Sequence, residues 1–111
     1  MQSQRRDRHQ ARARVLKALA HPSRLIIVEA LANGERCVGD LTALVGDDTS
    51  TVSKHLSVLR GAGLVLDRKD GNKVNYSLRV PCVLHFFECI DLVLSAAQPA
   101  TQCCTCQERV Q

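Results

Sequence analysis

Only four residues, Gly46-Asp47-Asp48-Thr49, separate two stretches whose apolar positions recur at helical spacing. The first runs from Val38 to Val45, with Leu41, Leu44 and Val45 apolar, and Gly46 stops it. The second continues to Gly61 or Gly63, with Val52, Leu56 and Leu59 at i, i+4 and i+7. Asp47, Asp48, Thr49 and Ser50 bring side-chain oxygens that can accept from the free amides at the start of that second helix. Two short helices joined by so tight a turn make a helix-turn-helix, and the rest of the chain has to be arranged around it.

Upstream, Ala11, Val15, Ala18 and Leu19 recur in three- and four-residue steps, predicting an amphipathic helix from about Asp7 to Ala20. His21-Pro22 interrupts it, and Pro22 suits the first turn of a second helix that carries Leu25, Ile26, Val28, Ala30 and Leu31 up to Asn33-Gly34. Downstream, Leu64 and Leu66, then Val74, Tyr76 and Leu78, alternate on either side of Asp70-Gly71. That pattern predicts a hairpin whose two turn positions both take φ > 0. After Pro81 an apolar helix is expected from about Cys82 to Ala97, and Val83, Phe86, Phe87, Ile90, Val93 and Leu94 give it a surface too large to leave wet. Such a helix calls for a second copy, with the first and last helices forming a dimer interface. The expected fold is therefore mainly α with a β-hairpin, a homodimeric winged helix-turn-helix in the order ααααββα. Residues 1–97 form the DNA-binding and dimerisation domain, and 98–111 form a polar, cysteine-containing tail.

A chain of 111 residues fills one domain of this size. With no Trp, one Tyr and two Phe, its core is aliphatic. No apolar run approaches the roughly 20 residues that span a bilayer, and the basic N-terminus has no apolar stretch behind it, so the expected location is the cytoplasm. Six cysteines in a reducing compartment point to metal binding or redox sensing rather than to structural disulfides. The net charge of +4 is unevenly spread: residues 1–24 hold seven Lys and Arg against Asp7 alone, whereas the remainder holds eight against ten. A basic end attracts phosphate, although a solvated helix face accounts for it equally well.

On the second helix of the pair, Ser50, Lys54 and Ser57 project opposite the apolar stripe, flanked by Thr51 and Ser53. Small hydroxyls and one cation make a face without bulk, able to enter a major groove about 12 Å wide. Arg68, Lys69 and Lys73 cluster around the hairpin tip. His55, at the edge of the stripe, is assigned to packing. Four segments carry a resemblance to a known family: Leu16-Lys17-Ala18-Leu19-Ala20-His21-Pro22-Ser23-Arg24-Leu25, Gly39-Asp40-Leu41, Ser50-Thr51-Val52-Ser53-Lys54-His55-Leu56 and Leu59-Arg60-Gly61-Ala62-Gly63-Leu64-Val65. In that order, over roughly residues 12–95, they resemble the ArsR/SmtB transcription repressors. The resemblance implies a dimer on an inverted-repeat operator in double-stranded DNA, wing contact with the adjoining groove, no enzymatic activity, and release by a thiophilic ion.

The family commonly places a Cys-Val-Cys pair at the start of the third helix. Here Cys37 matches the first cysteine, and Gly39 stands where the second would be. Of the family's zinc site on the last helix, only His85 and Glu88 fit. What remains is Cys103-Cys104-Thr105-Cys106, whose backbone spans at most about 11 Å, short enough for one turn to aim three sulfurs at one atom. Three thiolates select soft ions, whereas tetrahedral zinc needs a fourth ligand. The resemblance implies As(III) or Sb(III) as inducer, with Cd(II), Pb(II) and Zn(II) as further candidates. A thiol-redox switch on the same fold, a tail that merely carries cysteines, and, from another class, a small thiol reductase or metal carrier stand as alternatives. The enzyme reading lacks the βαβ unit that accompanies a thioredoxin-like Cys-x-x-Cys.

Overall fold

The computed structural model describes residues 2–95, and internal contacts divide the chain between Val80 and Pro81. In the first unit, α1 (Gln2–Leu19) starts ahead of the expected Asp7, because Gln and Arg favour helix and neither Gly nor Pro opposes it. Among the described side chains of this helix only Ala18 and Leu19 at its end are buried, with Val15 half-buried. Proline drives the residue before it out of the α region. His21 accordingly sits at φ −156°, ψ 131°, and its Nδ1 accepts from the Ser23 N–H at 3.1 Å, capping α2 (Pro22–Ala30). This helix ends short of Asn33-Gly34. A single tighter 3-10 turn, Leu31–Asn33, follows, and Gly34 at φ 128° redirects the chain.

A two-residue strand, β1 (Arg36–Cys37), comes next and runs straight into α3 (Val38–Val45) with Cys37 as its N-cap residue. Gly46 closes α3 in the left-handed conformation at φ 88°, and α4 (Thr49–Gly61) follows. The chain then turns into β2 (Val65–Asp70) and β3 (Lys73–Leu78). The expected hairpin is present as β2 and β3, and β1 adds a third strand to give an antiparallel sheet of order β1-β3-β2, with Arg36 opposite Tyr76 and Cys37 opposite Asn75. Two residues are too few to show a strand's alternation, so β1 left no periodic signal. The turn differs as well. Asp70 pairs with Lys73, so the loop residues are Gly71 and Asn72, and only Gly71 has positive φ, at 64°. One such position, with glycine first, is the pattern of a II′-type connection rather than the expected two.

The core of this unit is aliphatic, as the composition requires. Ile27 and Val28 from α2, Leu41 from α3, Val52, Leu56 and Leu59 from α4, and Val65 from β2 are almost fully enclosed. α4 packs against α2, α3 and β2, so the helix with the outward hydroxyls is held from behind by three elements of the core.

The second unit contains α5 (Val83–Leu94), with Cys82 as N-cap residue and Ser95 as C-cap residue. None of its residues is buried: Phe86 and Ile90 are exposed, and Val93 and Leu94 are 81% and 75% exposed. The expected end at Ala97 and the tail 98–111 lie outside the described residues. Among those residues, no helix is long and apolar enough to cross a membrane.

Candidate nucleic-acid interface

Asp48 sets the start of α4. Its Oδ1 accepts from the Thr51 N–H at 3.0 Å, and the Ser50 hydroxyl donates to its Oδ2 at 3.3 Å. The hydrogen bonds from Thr51, and secondarily that from Ser50, hold the Asp48 carboxyl below the ordinary carboxylate range. With the phase of α4 fixed, Val52, His55, Leu56 and Leu59 turn inward. Ser50, Ser53, Lys54 and Ser57 are exposed, and Thr51 is half-buried. The five residues expected to read DNA thus share the outer side of one helix, with Lys54 the cation among four hydroxyls.

Arg68, Lys69 and Lys73 are all exposed, yet they do not form one cluster. Lys69 lies opposite Val74 and Lys73 opposite Asp70, so these two flank the Gly71-Asn72 turn. Arg68 sits further back, opposite Asn75, and grips Glu35: Nη2 donates to Oε1 at 2.7 Å and Nε to Oε2 at 3.3 Å. That fork lowers the Glu35 pKa, chiefly through its hydrogen bonds, and holds the guanidinium more firmly protonated. Glu35 immediately precedes β1, so the pair ties the wing to the strand that leads into α3. A second exposed pair, Arg60 Nη1 to Asp67 Oδ2 at 2.9 Å, ties α4 to β2.

Behind α4 lies a polar cluster that the sequence pattern did not disclose. Arg24 Nη1 donates to the Lys17 and Ala18 carbonyls at 3.4 and 3.3 Å, and its Nε donates to His55 Nδ1 at 3.2 Å. His55 is 8% exposed, and its ring stands 4.5 Å, centroid to centroid, from that of His21. The Ser23 hydroxyl donates to Asp47 Oδ2 at 3.2 Å, joining α2 to the turn before α4. Burial first, then the nearby His21 and Arg24 charges, depress the His55 pKa.

For the thiols, Cys37 is half-buried, at the short edge strand β1. A Cβ built on Gly39 would stand 3.8 Å from the Cys37 Sγ, so the position of the missing second cysteine is beside the first. Cys82 is exposed and Cys89 half-buried, while His85 Nδ1 is 3.8 Å from Glu88 Oε1 on the surface of α5. Among the described residues no three His, Cys, Asp or Glu side chains gather in a group able to hold a metal ion. Cys103, Cys104 and Cys106 lie outside the described residues.

Residues 21–66 match the family model described as bacterial regulatory protein, arsR family. Over 74 residues the chain is 43% identical to the HTH-type transcriptional regulator Rv0081 of Mycobacterium tuberculosis, an alignment covering 66% of this chain and 65% of that protein. The crystal structure of Rv0081 superposes with a TM-score of 0.70 at 35% identity, covering 93% of this chain and 96% of the other. The biofilm growth-associated repressor of Agrobacterium fabrum is 36% identical over 84 residues, which are 76% of this chain and 72% of the repressor. The homodimeric winged helix-turn-helix DNA-binding domain of Mb0332 from Mycobacterium bovis, a possible ArsR-family regulator, matches at 33% identity and a TM-score of 0.71, covering 81% of this chain and 83% of the other. With the helix-turn-helix, the wing and the sequence agreeing over this span, the chain belongs to the ArsR family of bacterial transcriptional regulators.

Proposed function

We propose that the chain is a homodimeric repressor that binds an inverted-repeat operator through α4 and the wing, and that a thiophilic ion held by Cys103, Cys104 and Cys106 releases it. The observation that carries the DNA reading is the outer side of α4. Ser50, Thr51, Ser53, Lys54 and Ser57 stand on a helix whose opposite side is locked into an aliphatic core. Hydroxyls of this size make adaptable contacts to base edges, and Lys54, Lys69 and Lys73 neutralise phosphates. Arg60, the arginine exposed on α4, is engaged by Asp67 rather than free to fork onto a guanine, so one half-site discriminates modestly. Two half-sites about one helical turn apart multiply the discrimination.

The apolar surface of α5, with Phe86, Ile90, Val93 and Leu94 exposed, supports the dimer, as does the homodimeric relative. The sensor reading rests on three thiols within four residues, a donor set suited to three-coordinate As(III) or Sb(III). Ion binding then lowers DNA affinity by a coupling free energy of about 1–3 kcal/mol, typical of two linked sites. The test titrates reduced protein with As(III), Sb(III), Cd(II), Pb(II) and Zn(II) while following release from a fragment of its own promoter, with sedimentation run in parallel. Release by As(III) or Sb(III) at lower concentration than by the others, from a dimer, is the expected result. A monomer at micromolar concentration, or indifference to every ion, overturns it.

A further inference from the structure

Arg24 occupies a position where three parts of the first unit meet. From α2 its guanidinium reaches the last carbonyls of α1 with Nη1 and the inner side of α4 with Nε. Helix C-termini leave carbonyls without partners, so a cation there is favourably placed as well as hydrogen-bonded. His55 can accept from Arg24 only with Nδ1 unprotonated, so the neutral ring is the form that completes the link. One turn before it on α4 are Thr51 and Val52, and Lys54 is its direct neighbour; these lie on the stretch assigned to DNA.

We propose that Arg24 and His55 are positioning residues for the DNA-reading helix, and that protonation of His55 breaks their hydrogen bond and weakens DNA binding as pH falls through the histidine range. The inference rests on the DNA-binding reading above. A proton on Nδ1 sets an N–H against the Arg24 Nε–H, donor to donor and cation to cation. The charged groups facing the ring are Arg24 and His21 from α2 and its cap, both opposing the added charge, and Asp47 from the turn before α4, which favours it. Asp47 is exposed and already accepts from Ser23, so it offsets only part of the repulsion. Burial at 8% exposure adds to the opposition. The group's pKa is therefore lower in the fold than its ordinary 6.5. By linkage the stabilisation is complete above 6.5 and is lost as pH falls through the depressed value. The direction is diagnostic. Positive charge gained elsewhere on the surface acts the other way, strengthening attraction to phosphate at low pH.

The experiment measures the affinity of the full chain for its own promoter fragment from pH 8 to pH 5.5 at fixed ionic strength, in wild type and His55→Gln, with melting curves on the same samples. Gln is neutral and keeps an acceptor for Arg24. Wild type is expected to lose roughly three- to tenfold in affinity at the acid end, one pKa unit of difference being about tenfold, whereas His55→Gln stays flat or gains. Constant or rising wild-type affinity overturns the inference, as does a wild-type slope retained in His55→Gln. Absence of DNA binding at every pH instead overturns the DNA reading. The melting curves then decide the link itself, which requires a wild-type decline below pH 6.5 that His55→Gln lacks. If His55→Gln does not fold, NMR titration of the wild-type His55 ring decides, and a midpoint at or above 6.5 overturns the inference.

Discussion

Lys54 is the cation among the exposed hydroxyls in the first half of α4, and it contributes nothing to the core beneath. Lys54→Ala should therefore leave melting unchanged while weakening operator binding and reducing the salt-dependence slope by about one, checked by titrations at several salt concentrations. On the opposite side of the same helix, Leu56 is completely enclosed. Leu56→Ala is expected to cost about 2–5 kcal/mol of unfolding free energy in denaturant titrations, from lost transfer energy plus a cavity. Asp48→Ala removes the cap and should lower the melting temperature. Because the Asp48 carboxyl sits below its ordinary 3.8, the stability it contributes persists above that value and fades as pH falls through the lowered one. The gap between wild type and Asp48→Ala should accordingly shrink in acid. The two sides of α4 were legible in the sequence because a single helix displays its own period. Arg24 and His55, 31 positions apart on different helices, leave no such trace. The burial expected of His55 was readable, but its partner was not.

Among the elements, the helix-turn-helix and the hairpin were marked by Gly46, the Asp-rich start of α4 and the alternation around Gly71. β1 was not, and it changes the wing from a free hairpin into one anchored on both sides. Arg36 and Cys37 pair with β3, and Glu35 holds Arg68 on β2. The pairing with Glu35 also explains why a cation counted toward the wing tip is engaged elsewhere. At the entrance to α3, Gly39 has a conformation open to any residue, and an added Cβ meets only ordinary contact with the Cys37 sulfur. Gly39→Cys should fold normally and bring two thiols side by side. Its soft-ion affinity, read by competition with a chromophoric chelator, should rise clearly above wild type if the tail cysteines are replaced by Ser in both proteins.

For the whole molecule, the division of labour between reader and sensor is the sharpest expectation. Replacing Cys103, Cys104 and Cys106 together by Ser should preserve melting, dimerisation and DNA affinity, while arsenite-driven release disappears. Each single replacement should already weaken As(III) binding severely, and Cys37→Ser should do little. A triple variant that still releases DNA at the wild-type arsenite concentration shifts the sensor to Cys37, Cys82 or Cys89. The role proposed for the tail rests on sequence spacing alone, with Cys103, Cys104 and Cys106 falling within four residues. The dimer expectation likewise came from the apolar residues of α5, since apolar side chains that cannot all be shielded within one short helix leave a surplus visible in composition. Finally, a core built without Trp leaves a single tyrosine, Tyr76, half-buried at the middle of β3 between Arg36 and Asp67. Ultraviolet emission excited in the tyrosine band, beyond the reach of phenylalanine, therefore comes from one place in each copy of the chain, the wing sheet. Whatever reaches that sheet, a duplex seated on the hairpin or a shift relayed through β1, is written into the brightness of one ring, and the unmodified protein carries its own optical gauge.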